Sequence, residues 1–87
     1  MTPVEEEIAA LWDRVPPGAS TGTSGGRRWR AARTVFAGGR SEKIVAETEG
    51  STVSCNLYRL ASGPRAFPCE MPAARVAAFL RGWRADQ

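Results

Sequence analysis

The alternation of apolar and polar residues is sharpest from Ser41 to Leu60, where SEKIVAETE and TVSCNLYRL flank Gly50-Ser51. A period of two over both runs predicts a pair of half-buried antiparallel strands. Gly followed by Ser between such runs is a type II′ hairpin signal, because glycine takes a positive φ at the first corner without steric cost. That turn pairs Thr48 with Val53, Ala46 with Cys55 and Ile44 with Leu57, and puts all six on one face. Lys43, Val45, Glu47, Glu49, Thr52, Ser54, Asn56 and Tyr58 occupy the other face. A slip of one residue would reverse both sets, so the apolar face pins the strand parity.

Helical spacing marks the two ends of the chain. Val4, Ile8, Leu11, Trp12 and Val15 form one stripe, preceded by Thr2, Pro3 and Glu5, so a capped helix is predicted over residues 3–15. Glu5, Glu6 and Glu7 suit the positive end of its dipole, and Pro16-Pro17 stops it. Pro72 opens a second helix over residues 72–84, with Val76, Phe79, Leu80 and Trp83 as its stripe and Arg81 and Arg84 near its negative end. Residues 16–26, PPGASTGTSGG, hold no large apolar side chain and read as a flexible linker. The N-terminal helix is then a tethered element, able to dock on its own domain or on another chain.

Two more strands complete a meander over residues 27–70. Arg27 to Ala37 reads as a strand entering Gly38-Gly39, in one of two registers. A two-residue turn places Trp29, Ala31, Arg33 and Val35 on the core face; a three-residue turn through Arg40 places Ala32, Thr34 and Phe36 there. Each leaves one arginine in an awkward place, at position 33 or 30. After Leu60, a three-residue loop Ala61-Ser62-Gly63 pairs Leu57 with Phe67 and Cys55 with Cys69. Pro68 makes this fourth strand short and places it at an edge. The expected architecture is α+β, a single domain over residues 1–87: N-terminal helix, linker, four-stranded antiparallel meander, and a C-terminal helix packed on one sheet face.

At 87 residues and 43% hydrophobic content the chain supports one folded domain with a modest core. No apolar run approaches membrane-spanning length, and the acidic start MTPVEEE is the reverse of a secretory signal, so no membrane association and a cytoplasmic location are expected. Abundant Ala and Gly, with Lys43 the sole lysine against many arginines, read as a GC-rich bacterial genome. The chain has no histidine, only two cysteines and no GxxxxGK loop. A four-ligand zinc site, the commonest general base and a phosphate cradle are thereby missing, and neither a cofactor nor enzymatic activity is expected. Cys55 and Cys69 are expected to be thiols acting as small hydrophobes in a reducing compartment, although the opposed register leaves a cross-strand disulfide geometrically open.

Charge changes the picture more. The net charge is +3, yet residues 27–40 carry five arginines and no acid while the N-terminal helix is acidic. Rings of Trp29, Phe36 and Tyr58 interleaved with Arg28, Arg30, Arg33, Arg40 and Lys43 are what a single-stranded nucleic-acid platform needs, since bases stack on rings while cations follow phosphates. The expected binding residues are therefore Arg28, Trp29, Arg30, Arg33, Arg40, Lys43 and Tyr58. Glu47 and Glu49 interrupt a continuous phosphate track. The alternative is a protein-interaction module or homodimeric adaptor that uses the N-terminal helix or a sheet edge. A third possibility joins the two: the acidic helix folds over the arginine-rich first strand and masks it.

A four-stranded meander closed by one helix, with a proline just before that helix, spans KIVAETEGSTVSCNLYRLASGPRAFPCEMPAARVAAFLRGW. This order of elements resembles the positive-cofactor-4-like transcriptional coactivator fold and the Pur-alpha repeats. The resemblance implies a dimer that binds single-stranded nucleic acid on a curved sheet, and it implicates Arg33, Lys43 and Tyr58 by their places on strands. The acidic outer patch, the single lysine and the acidic N-terminal helix depart from that pattern.

Overall fold

The computed structural model describes residues 2–69 and 71–86. Glu70, the last residue of the expected meander, lies outside them, as do the terminal residues Met1 and Gln87. The chain is α+β, with helix α1 (Pro3–Leu11), strands β1 (Gly18–Ser24), β2 (Arg27–Phe36), β3 (Ser41–Thr48), β4 (Ser51–Leu60) and β5 (Gly63–Pro68), helix α2 (Ala73–Gly82) and a short β6 (Arg84–Ala85). All pairings are antiparallel, in the order β5-β4-β3-β2-β1-β6, so the sheet has six strands and not four. Both helices lie on one face. Ile8, Trp12, Val76, Phe79, Leu80 and Trp83 meet Trp29, Ile44, Val53, Cys55 and Leu57 in one core.

The expected linker is a strand. Gly25 and Gly26 both have positive φ (60° and 76°), the backbone a tight two-residue hairpin turn demands, and they fold β1 back on β2. β1 lacks large side chains because α2 ends directly above it. A Cβ on Gly22 would collide with the Arg84 carbonyl and sit 2.8 Å from the Trp83 ring. Ser24 Oγ donates to the Phe79 carbonyl at 2.7 Å, satisfying one of the acceptors that a helix end leaves open. Small residues here mark close approach, not flexibility.

The α1 cap is as expected: Glu5 N–H donates to Thr2 Oγ1 at 3.1 Å and Thr2 N–H to Glu5 Oε1 at 2.9 Å. The helix then tightens into a 3-10 turn over Trp12–Arg14. Its apolar stripe packs in cis, with Ile8 and Trp12 buried, and so is not available to another chain. Arg14 donates to the carbonyls of Arg81 and Trp83 (3.0 and 3.1 Å), and Arg81 makes a fork to the Glu7 carboxylate (2.7 and 2.8 Å). α2 ends at Gly82, not at residue 84, because Trp83 turns extended (ψ 129°) and leads into β6.

Registers differ from expectation at two turns. The β3–β4 turn is Glu49–Gly50, pairing Thr48 with Ser51, Ala46 with Val53 and Ile44 with Cys55. Gly50 (φ 77°) therefore holds the second corner, and the pairing slips by two residues. An even slip leaves each side chain on its expected face. The β4–β5 turn is the two-residue Ala61–Ser62, so Leu57 pairs with Ala66 and Cys55 with Pro68. That odd slip reverses β5. Ala66 is fully buried where α1 crosses β5, and Phe67 turns outward. The cysteines are consequently not opposed; both are free, and Cys69 Sγ accepts from Asn56 Nδ2 at 3.3 Å.

β2 pairs with β3 in the register of the Gly38-Gly39 turn, although residues 37–39 form a 3-10 turn. Trp29, Ala31 and Arg33 thus face the helices. Arg33 is tolerated there because Glu42, 3% exposed, faces it from β3. Glu42 accepts from Arg33 Nε (2.8 Å), Arg59 Nε (2.8 Å) and Trp12 Nε1 (3.1 Å). Arg33 also donates to the Val15 carbonyl (2.9 Å) and to Asp13 (2.8 Å). Desolvation alone would raise the Glu42 pKa, but hydrogen bonds from Arg33, Arg59 and Trp12 outweigh it and hold the carboxyl below its ordinary value.

Candidate nucleic-acid interface

With both helices on one side, the opposite face of the sheet is open. Register sorts its side chains into cross-strand rows. Phe36, Ser41, Tyr58 and Arg65 form the first; Thr34, Lys43, Asn56 and Phe67 form the second. Ala19, Ala32, Val45 and Ser54 form a third row of small residues, and Thr21, Arg30, Glu47 and Thr52 a fourth. The Tyr58 and Phe67 rings meet edge-to-face at 5.3 Å, and the Arg65 guanidinium lies 5.3 Å from the Phe67 centroid. Phe36, Tyr58 and Phe67 are each about two-fifths to one-half exposed, at 48%, 39% and 41%.

Charge is divided along this face. The first two rows carry Lys43 and Arg65 and no carboxylate. The acids lie at the other end of the strands, around the fourth row. Asp86 takes 2.6 and 3.4 Å bonds from Arg28 and a 2.8 Å bond from Thr21 Oγ1, and Glu47 lies 3.8 Å from Arg30. The bonds from Arg28 and Thr21 hold the Asp86 carboxyl below its ordinary value, and the same contact raises the Arg28 pKa.

Of the seven residues expected to bind, the structure brings Arg28, Arg30, Lys43 and Tyr58 to the open face. Arg40 is exposed in the β2–β3 connection, its Nε donating to the Ala37 carbonyl at 3.0 Å. Trp29 and Arg33 do not belong to the group. Trp29 is buried under α2, edge-on to Phe79 at 4.8 Å, with its Nε1 donating to the Ser24 carbonyl at 3.0 Å. Arg33 shares that parity and is locked in the Glu42 network. The acidic helix masks neither Arg28 nor Arg30, because it lies on the other side of the sheet; only its Asp13 reaches Arg33. Phe67 and Arg65 were missed. The expected three-residue loop turned both inward; the signal against it was Arg65, a charge on one parity of Pro64–Pro68 while Pro64, Ala66 and Pro68 on the other are wholly apolar.

Among the described residues no group of three or more Cys, Asp or Glu is placed to hold a metal ion. Likewise no helix is long and apolar enough to cross a membrane. Cys55 is buried beside Cys69, and burial first, then that neighbour, push its thiol up to about 12. Comparison with protein-family models, curated proteins and solved structures finds no match to this chain. The class defined by fold and surface is a small six-stranded α+β domain with a one-sided core.

Proposed function

We propose that this protein is a non-enzymatic, cytoplasmic binding domain that takes single-stranded nucleic acid on the open face of its sheet. The observation that carries this reading is the group Phe36, Tyr58, Phe67, Lys43 and Arg65 in two adjacent rows without a carboxylate. Rings offer stacking surfaces to bases of any sequence, and the two cations beside them neutralise phosphates. Arg28 and Arg30 continue the cationic surface along β2, discounted by Asp86 and Glu47. The meander β2–β5 followed by α2 resembles the positive-cofactor-4-like and Pur-alpha order of elements, with β1 and β6 as departures from it, and that resemblance supports the same reading.

Fluorescence anisotropy of a short labelled oligothymidylate tests it. Affinity should fall with salt at a log–log slope of about 0.7 per phosphate neutralised, and Lys43→Gln should flatten the slope by about that amount. Tyr58→Ala and Phe67→Ala should each cost about 1–3 kcal/mol per base released from its ring. Absence of binding at low salt, or ring variants that both bind as tightly as the parent chain, rules the reading out.

A second reading rests on Leu60, which joins Phe36, Tyr58 and Phe67 in an exposed apolar patch at one end of the same face. Such a patch also fits a protein partner or a second copy. Light scattering across concentration separates the two, since a strict monomer eliminates the homodimer.

A further inference from the structure

On the helix-covered side, the β1–β2 turn, the start of β4 and α2 border an open cleft of about 260 Å³. We propose that this cleft binds a small aromatic monocarboxylate, with its ring on a floor of Trp29, Val53 and Phe79 and its carboxylate between Arg27 and Arg75. It lies across the sheet from the open face and does not depend on the nucleic-acid reading.

The two arginines reach the cleft from different elements, one from β2 and one from α2, and converge on a single turn. Arg27 donates to the Glu49 carbonyl at 3.0 Å, while Arg75 donates to Ser51 Oγ at 2.6 Å and to the Thr52 carbonyl at 3.4 Å. These acceptors are neutral, so no carboxylate among the described residues pairs with either guanidinium group, and each has further N–H donors to offer. Two cations held at the mouth of an apolar hollow are complementary to one anion, and a carboxylate matches the guanidinium fork. The floor selects what the anion is attached to. Phe79 and Trp29 already meet edge-to-face at 4.8 Å, so another ring extends an existing aromatic cluster.

The floor is also pre-formed. Trp29 Nε1 is tied to the Ser24 carbonyl and Ser24 Oγ to the Phe79 carbonyl, which fixes ring, strand and helix together. The volume is below the roughly 300 Å³ lower bound of drug-sized sites, which points to a ligand of fragment size.

The test is an amide NMR titration of the full chain at pH 7 with 3-phenylpropionate, 3-phenylpropionamide, acetate, and an acetylated tripeptide ending in Phe. The free acid should give saturable shifts at Gly25, Ser51, Val53 and Ala78. The neutral amide and acetate should bind about tenfold more weakly or worse, having lost the charge-assisted bond or the ring. Arg27→Gln and Arg75→Gln should each weaken 3-phenylpropionate by about tenfold, and Arg40→Gln should not. Unfolding midpoints of the variants report whether the fold is retained. Equal binding of acid and amide, no saturable shift, or shifts confined to Tyr58 and Phe67 overturns the proposal. Tighter binding of the tripeptide overturns the small-acid assignment in favour of a peptide C-terminus.

Discussion

Removing the Glu42 carboxylate should be the most damaging single change to a polar side chain on the helix-covered face. Glu42→Ala deletes the common acceptor of Trp12, Arg33 and Arg59. Arg59 is 40% exposed and can turn to water, but the Arg33 side chain is only 10% exposed and Trp12 is buried. Breaking a buried ion pair from one side typically costs about 3–5 kcal/mol, chiefly because a charge is left behind without compensation. Asp13 still holds Arg33 at 2.8 Å, which places the expected loss near the lower end, at about 3 kcal/mol. A domain of this size has only about 4–13 kcal/mol in total. At roughly 4–8 °C per kcal/mol the midpoint should fall by about 12–24 °C. Urea unfolding at pH 7, read by tryptophan fluorescence, measures the loss directly if m is unchanged. The folded pKa of Glu42 is depressed below the unfolded 4.5, so its contribution is complete above 4.5 and disappears as pH falls through the lower folded value. Glu42→Gln should therefore lose part of the acid sensitivity seen in the parent chain. A loss under about 1 kcal/mol for Glu42→Ala would refute the view that this network holds α1 to the sheet.

The remaining predictions concern close approach and thiol chemistry. Gly22→Val pushes a side chain into the Trp83 ring and should destabilise by about 1–3 kcal/mol while loosening amide protection in β6. Ser24→Ala leaves the Phe79 carbonyl without its donor and should cost about 1 kcal/mol, measured in the same urea series. Burial raises the Cys55 pKa to about 12, so the thiol stays protonated at pH 8; iodoacetamide should label only Cys69 in the folded chain and both cysteines in urea. Fast labelling of Cys55 in the native state would contradict the observed packing.

Both helices, the meander and the faces of β3 and β4 are legible in the sequence, because period and capping are local properties. Thr2, Pro3 and Glu5 announce a helix start wherever they stand, and Ile44, Ala46, Val53, Cys55 and Leu57 share a parity that survives an even register slip. Lys43 and Tyr58 followed from that parity and are on the open face. What failed were choices that depend on neighbours distant in sequence. PPGASTGTSGG resembles a linker until Trp83 and the end of α2 are set on top of it, when Gly22 has no room for a Cβ and Ser24 lies against Gly82. Arg33 looks misplaced until Glu42 and Asp13 converge on it. Phe67 and Ala66 exchange faces by one residue of turn length, and the observed pairing buries Ala66 where α1 meets β5 and leaves Phe67 outside. Local periodicity thus set α1, α2 and the strands β2 to β5, but not β1 or β6. Steric fit and charge pairing between remote segments decided which side chains reach the open face, because those energies exist only once the elements are packed.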